Sequence, residues 1–181
     1  MKSTNGLITN VKPKKKIFKK LYLKILLFFV GRGFQSLSKV DKDVKKEVAS
    51  LPDDFIFTIK INPVGPEIAI QKTKNQRLKF INVKKIDPEK INIQIMFKNI
   101  ERAFSVFTFQ ISAYLAYSQN GLMVKGNLPE TMTIMRILTI LEIYLMPKFI
   151  VEPILKRYPK WNFFYKSWNR FLIYSRIVTG I

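Results

Sequence analysis

The sequence contains no cysteine and no histidine. The first absence removes disulfides, thiolate nucleophiles and sulfur ligands. The second removes the commonest general base near neutral pH, and together they exclude the usual zinc sites and the Ser-His-Asp and Cys-His arrangements. A binding protein is therefore expected rather than an enzyme, with no catalytic residue and no metal. Acidic residues are missing from both ends. Residues 1–40 carry ten Lys or Arg, residues 153–181 carry six, and neither stretch has an acid, so the ends hold sixteen of the net +20 charges. Residues 41–152, with sixteen basic and twelve acidic side chains, have the balance of an ordinary soluble domain. The affinity for polyanions belongs to the flanks. With 181 residues, 48% of them hydrophobic, the chain can form one domain with a core plus extensions.

After a polar leader ending at Lys12-Pro13, Lys14, Lys15, Lys16, Lys19, Lys20 and Lys24 are interleaved with Ile17, Phe18, Leu21, Tyr22, Ile25 and Leu26. Lys16, Lys20 and Lys24 stack at four-residue spacing, which predicts a basic amphipathic helix running through Phe28-Phe29-Val30 to Gly31 and lying on an anionic membrane. Its ten-residue run from Leu21 to Val30, with a lysine inside, falls short of the ~20 residues of a spanning helix. Gly31-Arg32-Gly33 offers no small-x-small cleavage site. The alternative is that this helix packs on the domain's own core with its lysines in water.

A short charged helix is expected from Asp41 to Ser50, with Val40, Val44 and Val48 on its buried edge. Asp53-Asp54, beside Pro52, reads as a turn. Alternating segments around Phe55–Ile61, Glu67–Gln71, Leu78–Phe80 and Ile91–Phe97 read as strands joined by short turns, hence antiparallel hairpins with one solvated face. From Lys98 the period becomes helical, with Ile100, Phe104 and Phe107 on one face and Ile111 and Leu115 continuing it. Leu122–Lys125 is a last strand, stopped by Gly126-Asn127, residues that tolerate unusual backbone angles. Asn127 and Glu130 then form a capping-box-like start. The helix that follows is apolar on nearly every side except for the stripe Thr133, Arg136, Thr139 and Glu142. A final helix from Trp161 to about Val178 sets Trp161, Tyr165 and Trp168 against Lys166 and Arg170, residue types suited to a membrane boundary, to stacking on single-stranded nucleic acid or to the protein's own core.

This order of elements resembles the sterol carrier protein 2 (SCP2-like) family over residues 40–150. The landmarks are the strand Gly121-Leu-Met-Val-Lys-Gly-Asn127 and the preceding Ile93-Gln-Ile-Met-Phe-Lys-Asn99. The resemblance implies an α+β fold: a curved antiparallel sheet of about five strands covered by helices, with an apolar tunnel between sheet and helices. By position, Phe104, Phe107, Ile111, Met132, Met135, Leu138 and Leu141 would line the tunnel, where Met and Phe suit an adaptable cavity. A fatty acid, sterol-like or quinone-like lipid would occupy it, and no cofactor is implied. The basic helices at both ends are not part of the usual domain. They divide the chain into a leader and amphipathic helix (1–39), the SCP2-like domain (40–155) and a basic aromatic helix (156–181).

The leading expectation is thus a noncatalytic lipid-binding protein, cytoplasmic and peripherally attached to an anionic membrane. Its membrane contacts would be Lys14, Lys15, Lys16, Lys19, Lys20, Lys24, Trp161, Tyr165, Lys166, Trp168 and Arg170. A nucleic-acid or ribosome-associated protein is the second reading, without a compact recognition motif to support it. A structural subunit or adaptor with a protein partner in a membrane-bound assembly is another. A span through 128–147 ranks behind these, because Arg136 and Glu142 near its centre would each cost roughly 2.5–3.5 kcal/mol.

Overall fold

The structure, a computed structural model, describes residues 17–108, 110–145 and 172–176. The elements are α1 (Ile17–Val40), α2 (Lys42–Ala49), β1 (Ile56–Ile61), β2 (Glu67–Thr73), β3 (Arg77–Ile81), β4 (Ile93–Phe97), α3 (Ile100–Phe107), α4 (Ala113–Ser118), β5 (Leu122–Lys125) and α5 (Leu128–Leu145). The fold is α+β. Five strands form one sheet in the order β3-β2-β1-β4-β5.

The short turns make antiparallel hairpins of β1–β2 and β2–β3, as expected, and β4–β5 is also antiparallel. The β1–β4 pairing is parallel, so the sheet is mixed. The reason lies in the connection: residues 82–92 form two 3-10 turns that carry the chain from edge strand β3 back past β2 to the far side of β1. A returning connection of this kind brings a strand in alongside its neighbour in the same direction, where a tight hairpin cannot. Phe57, Ile59 and Ile61 meet Ile70, Ile68, Ile93, Ile95 and Phe97 across the central pairings, giving the helix-covered face an unbroken apolar floor. The opposite face is less open than its alternation predicts. Thr58 and Ala69, paired at the sheet centre, are both buried, being short side chains with Gln94 next in register.

Helix α1 continues nine residues past the expected stop at Gly31, to Val40. Leu23, Leu27, Val30, Phe34 and Leu37, spaced alternately four and three apart, form the stripe that a helix buries, and all five belong to the main core. Gly31 and Gly33 are points of close approach. A Cβ on Gly31 would lie 2.7 Å from the Phe80 ring, and one on Gly33 would lie 2.6 Å from Leu141 Cδ1. Mid-helix glycine costs about 1 kcal/mol of propensity relative to alanine, and close packing on β3 and α5 offsets it. The line at residue 39 is a division of charge, and the core runs across it.

Polar side chains fix where α1 lies. Strand β3 is a sheet edge, and its amides at Leu78 and Phe80 donate to Ser38 Oγ (3.0 Å) and Gln35 Oε1 (3.4 Å), so the helix covers backbone that would otherwise invite another strand. At the end of α1, buried Asp41 caps α2 through Oδ1, which accepts from the amides of Asp43 and Val44, while Oδ2 accepts from the Tyr144 hydroxyl of α5 at 2.9 Å. Both carboxylate oxygens are satisfied, which a buried carboxylate requires. Buried Lys72 donates to the carbonyls of Leu51 and Ala49 and pairs with Asp53, which holds Asp53-Asp54 in the expected turn.

Gly126 has φ +137°, and a Cβ there would meet the Asn92 carbonyl oxygen at 2.4 Å. Glycine at that position lets β5 end against β4, so the two stretches that carry the family resemblance are paired strands. Asn127 closes the first turn of α5 through its carbonyl, which accepts from the amide and hydroxyl of Thr131. On the α5 polar stripe, Arg136 makes a two-pronged ion pair with Glu47 of α2, both contacts at 2.8 Å.

Candidate ligand-binding site

The N-terminal half of α1 has two apolar stripes. Leu23 and Leu27 face the core, while Tyr22, Ile25, Leu26 and Phe29, at positions i, i+3, i+4 and i+7, turn toward α5 and line a cavity of about 350 Å³. Val30 and Phe107 form further walls, α5 contributes Leu138, Leu141 and Glu142, and Tyr174 of residues 172–176 adds to the lining. No strand contributes to it, so the cavity lies between helices and not under the sheet. A second cavity of about 200 Å³ lies between α4, β5 and the first half of α5, with Tyr114, Tyr117, Val124, Met132 and Met135 among its walls.

The seven side chains expected in a tunnel are therefore distributed. Phe107, Leu138 and Leu141 line the larger cavity, and Met132 and Met135 line the smaller. Phe104 is half-buried against the Tyr22 ring, with centroids 5.4 Å apart, and Ile111 packs on the core. The space directly beneath α1 on the sheet is filled by the cluster of Phe34, Phe55 and Phe57. Sequence reasoning missed Tyr22, Ile25, Leu26, Phe29, Val30, Glu142 and Tyr174. The signal for the first four was the second stripe at i, i+3, i+4, i+7, which reads equally well as a membrane-facing surface.

Of the expected membrane contacts, Lys20 and Lys24 are exposed on α1, flanking a shallow groove with Phe28, Gly65, Pro66 and Phe80. Lys19 forms an ion pair with Glu101 of α3 and sits over the Phe104 ring, so it also joins α1 to α3. Lys14, Lys15, Lys16, Trp161, Tyr165, Lys166, Trp168 and Arg170 lie outside the described residues. Of the aromatic C-terminal helix, residues 172–176 are helical, with Ile173 buried in the core and the Tyr174 hydroxyl donating to the Tyr144 carbonyl at 3.4 Å. Among the described residues no cluster of carboxylates could hold a metal ion, and no helix is long and apolar enough to cross a membrane.

Among the described residues that line the larger cavity, Glu142 alone is charged. Burial among apolar side chains raises its carboxyl from 4.5 to about 7.

An α+β domain built on one five-stranded sheet, with an apolar cavity at its helical side, is what the fold and the geometry define. No protein-family model matches the sequence, and no curated protein matches it. Solved structures similar to this chain are SCP2 domains. The sterol carrier protein domain 2 of Helicoverpa armigera is 16% identical with a TM-score of 0.42, over 67% of this chain and 85% of that one. A UbiJ-SCP2 ubiquinone synthesis protein is 9% identical with a TM-score of 0.44, over 69% and 99%. The apo form of sterol carrier protein 2 from Yarrowia lipolytica is 20% identical with a TM-score of 0.40, over 62% and 87%.

The raised Glu142 carboxyl sets a pH dependence. The folded state holds this proton more tightly than the unfolded chain, so the penalty is absent below about 4.5, grows up to about 7 and stays constant above. Urea unfolding should show wild type losing stability relative to Glu142→Gln over that interval, by an amount of order 1–3 kcal/mol. Parallel pH profiles for the two proteins would contradict this placement of the side chain.

Proposed function

We propose that the chain is a noncatalytic binding protein for one slender hydrophobic ligand, such as a fatty acyl chain, and that it works while attached to an anionic membrane. The observation that carries the reading is the cavity of about 350 Å³, whose wall, among the described residues, holds nine hydrophobic or aromatic side chains and a single carboxyl. Its volume falls at the lower end of the range typical of small-molecule sites, roughly 300–1,000 Å³. An apolar space of this kind is unfavourable to water and gains free energy when a hydrocarbon fills it. Membrane attachment is supported by α1, whose N-terminal half exposes Ile17, Phe18, Leu21, Ile25, Phe28 and Phe29 beside Lys20 and Lys24. Tyr22, Ile25 and Phe29 both line the cavity and reach solvent, so a ligand leaving a bilayer beneath α1 would meet the cavity directly. In this reading the balanced stretch 40–155, together with the core face of α1, is the binding unit, and the basic ends hold it at the surface.

Leu138→Trp tests the cavity. In a solid core the added ring would overpack and cost typically 1–3 kcal/mol. In a ligand cavity it occupies ligand space, so the variant should keep its thermal midpoint within a few degrees and lose binding of a neutral fluorescent hydrophobic probe. A destabilised variant that still binds the probe as wild type does would overturn the assignment of this cavity.

Attachment is tested by cosedimentation with vesicles. Each lysine near an anionic surface contributes about 1 kcal/mol, screened over a Debye length. Binding to phosphatidylserine vesicles should weaken with salt and fall about tenfold or more in the Lys20→Glu, Lys24→Glu double variant. Equal binding to neutral and anionic vesicles would refute the electrostatic part.

A further inference from the structure

Glu142 is a charge without a structural task. Among the described residues no ion pair or hydrogen bond is found for its carboxyl, and burial alone accounts for its raised proton affinity. Its neighbours on the α5 stripe are committed elsewhere: Arg136 holds Glu47 and also donates to Thr133, and Thr139 donates to the Met135 carbonyl. Among the described residues, the ionisable groups that line the cavity with it are the phenols of Tyr22 on α1 and Tyr174 in residues 172–176, and the second donates to the Tyr144 carbonyl. The lysine of α1 next to α3, Lys19, is held by Glu101. Leucine would fill this wall without the cost of setting a carboxyl with no protein donor among apolar side chains. A ligand in the cavity can supply the donor that the described residues do not.

Resting on the lipid-site reading above, we infer that the cavity prefers single-chain lipids whose head group donates hydrogen bonds, long-chain amines foremost, over chains that end in a carboxylate. An ionised carboxyl only accepts, and it can accept from an ammonium or a hydroxyl. A charge-assisted bond to an ammonium is roughly twice as strong as a neutral one. A second carboxylate in the same site brings like charge, and two acids so placed cannot both ionise freely. Amine affinity therefore rises as the pH passes upward through about 7 and Glu142 ionises, while fatty-acid affinity falls, because that ligand must enter with a proton shared between the two acids.

The test is displacement of the neutral dye N-phenyl-1-naphthylamine from the full chain by dodecylamine, dodecanol and dodecanoic acid, below and above pH 7, in wild type and Glu142→Gln. In wild type above pH 7 the order should be amine, alcohol, acid, with about tenfold or more between the first and last. Glu142→Gln, with its fold checked by circular dichroism, should compress that difference and remove its pH dependence. If the acid displaces the dye as well as the amine does, or if the variant keeps the wild-type order, the head-group preference is wrong while the lipid site stands. If the dye does not bind and none of the three amphiphiles is taken up, the lipid site fails, and the preference fails with it.

Discussion

The burial of one face of α1 is the constraint from which the rest of the structure follows. A 24-residue helix can lie this close to the sheet and to α5 because Gly31 and Gly33 present no side chain to Phe80 and Leu141. The five side chains it buries complete a core that the strands alone leave open on one side, and Ser38 and Gln35 close the edge of β3 as the helix passes. The same placement creates the cavity. Below the glycines, Tyr22, Ile25, Leu26 and Phe29 line the same space as Leu138 and Leu141 of α5, so the two helices approach closely at Gly33–Leu141 and enclose space beside it. Core, edge protection and binding space are thus consequences of one helix.

Much of this was legible in the sequence. Short turns and period-two alternation predicted the hairpins, Gly126-Asn127 marked the end of β5, and the stripe on α5 was polar where Arg136 reaches Glu47. Three features were not legible, each for a physical reason. The parallel β1–β4 pair depends on where residues 82–92 return the chain, which no local pattern encodes. The full length of α1 was hidden because glycine ends helices in isolation but permits close packing in a fold. The location of the cavity was misjudged because a second apolar stripe beside lysines describes a membrane-binding face and a cavity wall equally well. Here Tyr22, Ile25 and Phe29 line the cavity while remaining partly exposed.

That dual use bears on how such a protein would exchange its ligand. A cavity buried wholly beneath a sheet needs an opening motion, whereas one whose wall is a partly exposed helix needs only a small displacement of α1 relative to α5. Tyr144 and Asp41 restrain one end of that pair at 2.9 Å, and the Lys19–Glu101 pair joins the outer end of α1 to α3. The surface pair is the weaker restraint, since half-exposed ion pairs contribute about 0–1 kcal/mol and are screened by salt. The charge pair at the outer end of α1 is thus the restraint that such a displacement would break first.

Native mass spectrometry of the intact protein, purified from cells and again after incubation with phosphatidylserine vesicles, is the most direct measurement of the central claim. The account predicts a population heavier than the bare chain by the mass of one single-chain lipid, released on mild activation. Only the bare chain, before and after incubation with vesicles, would contradict it.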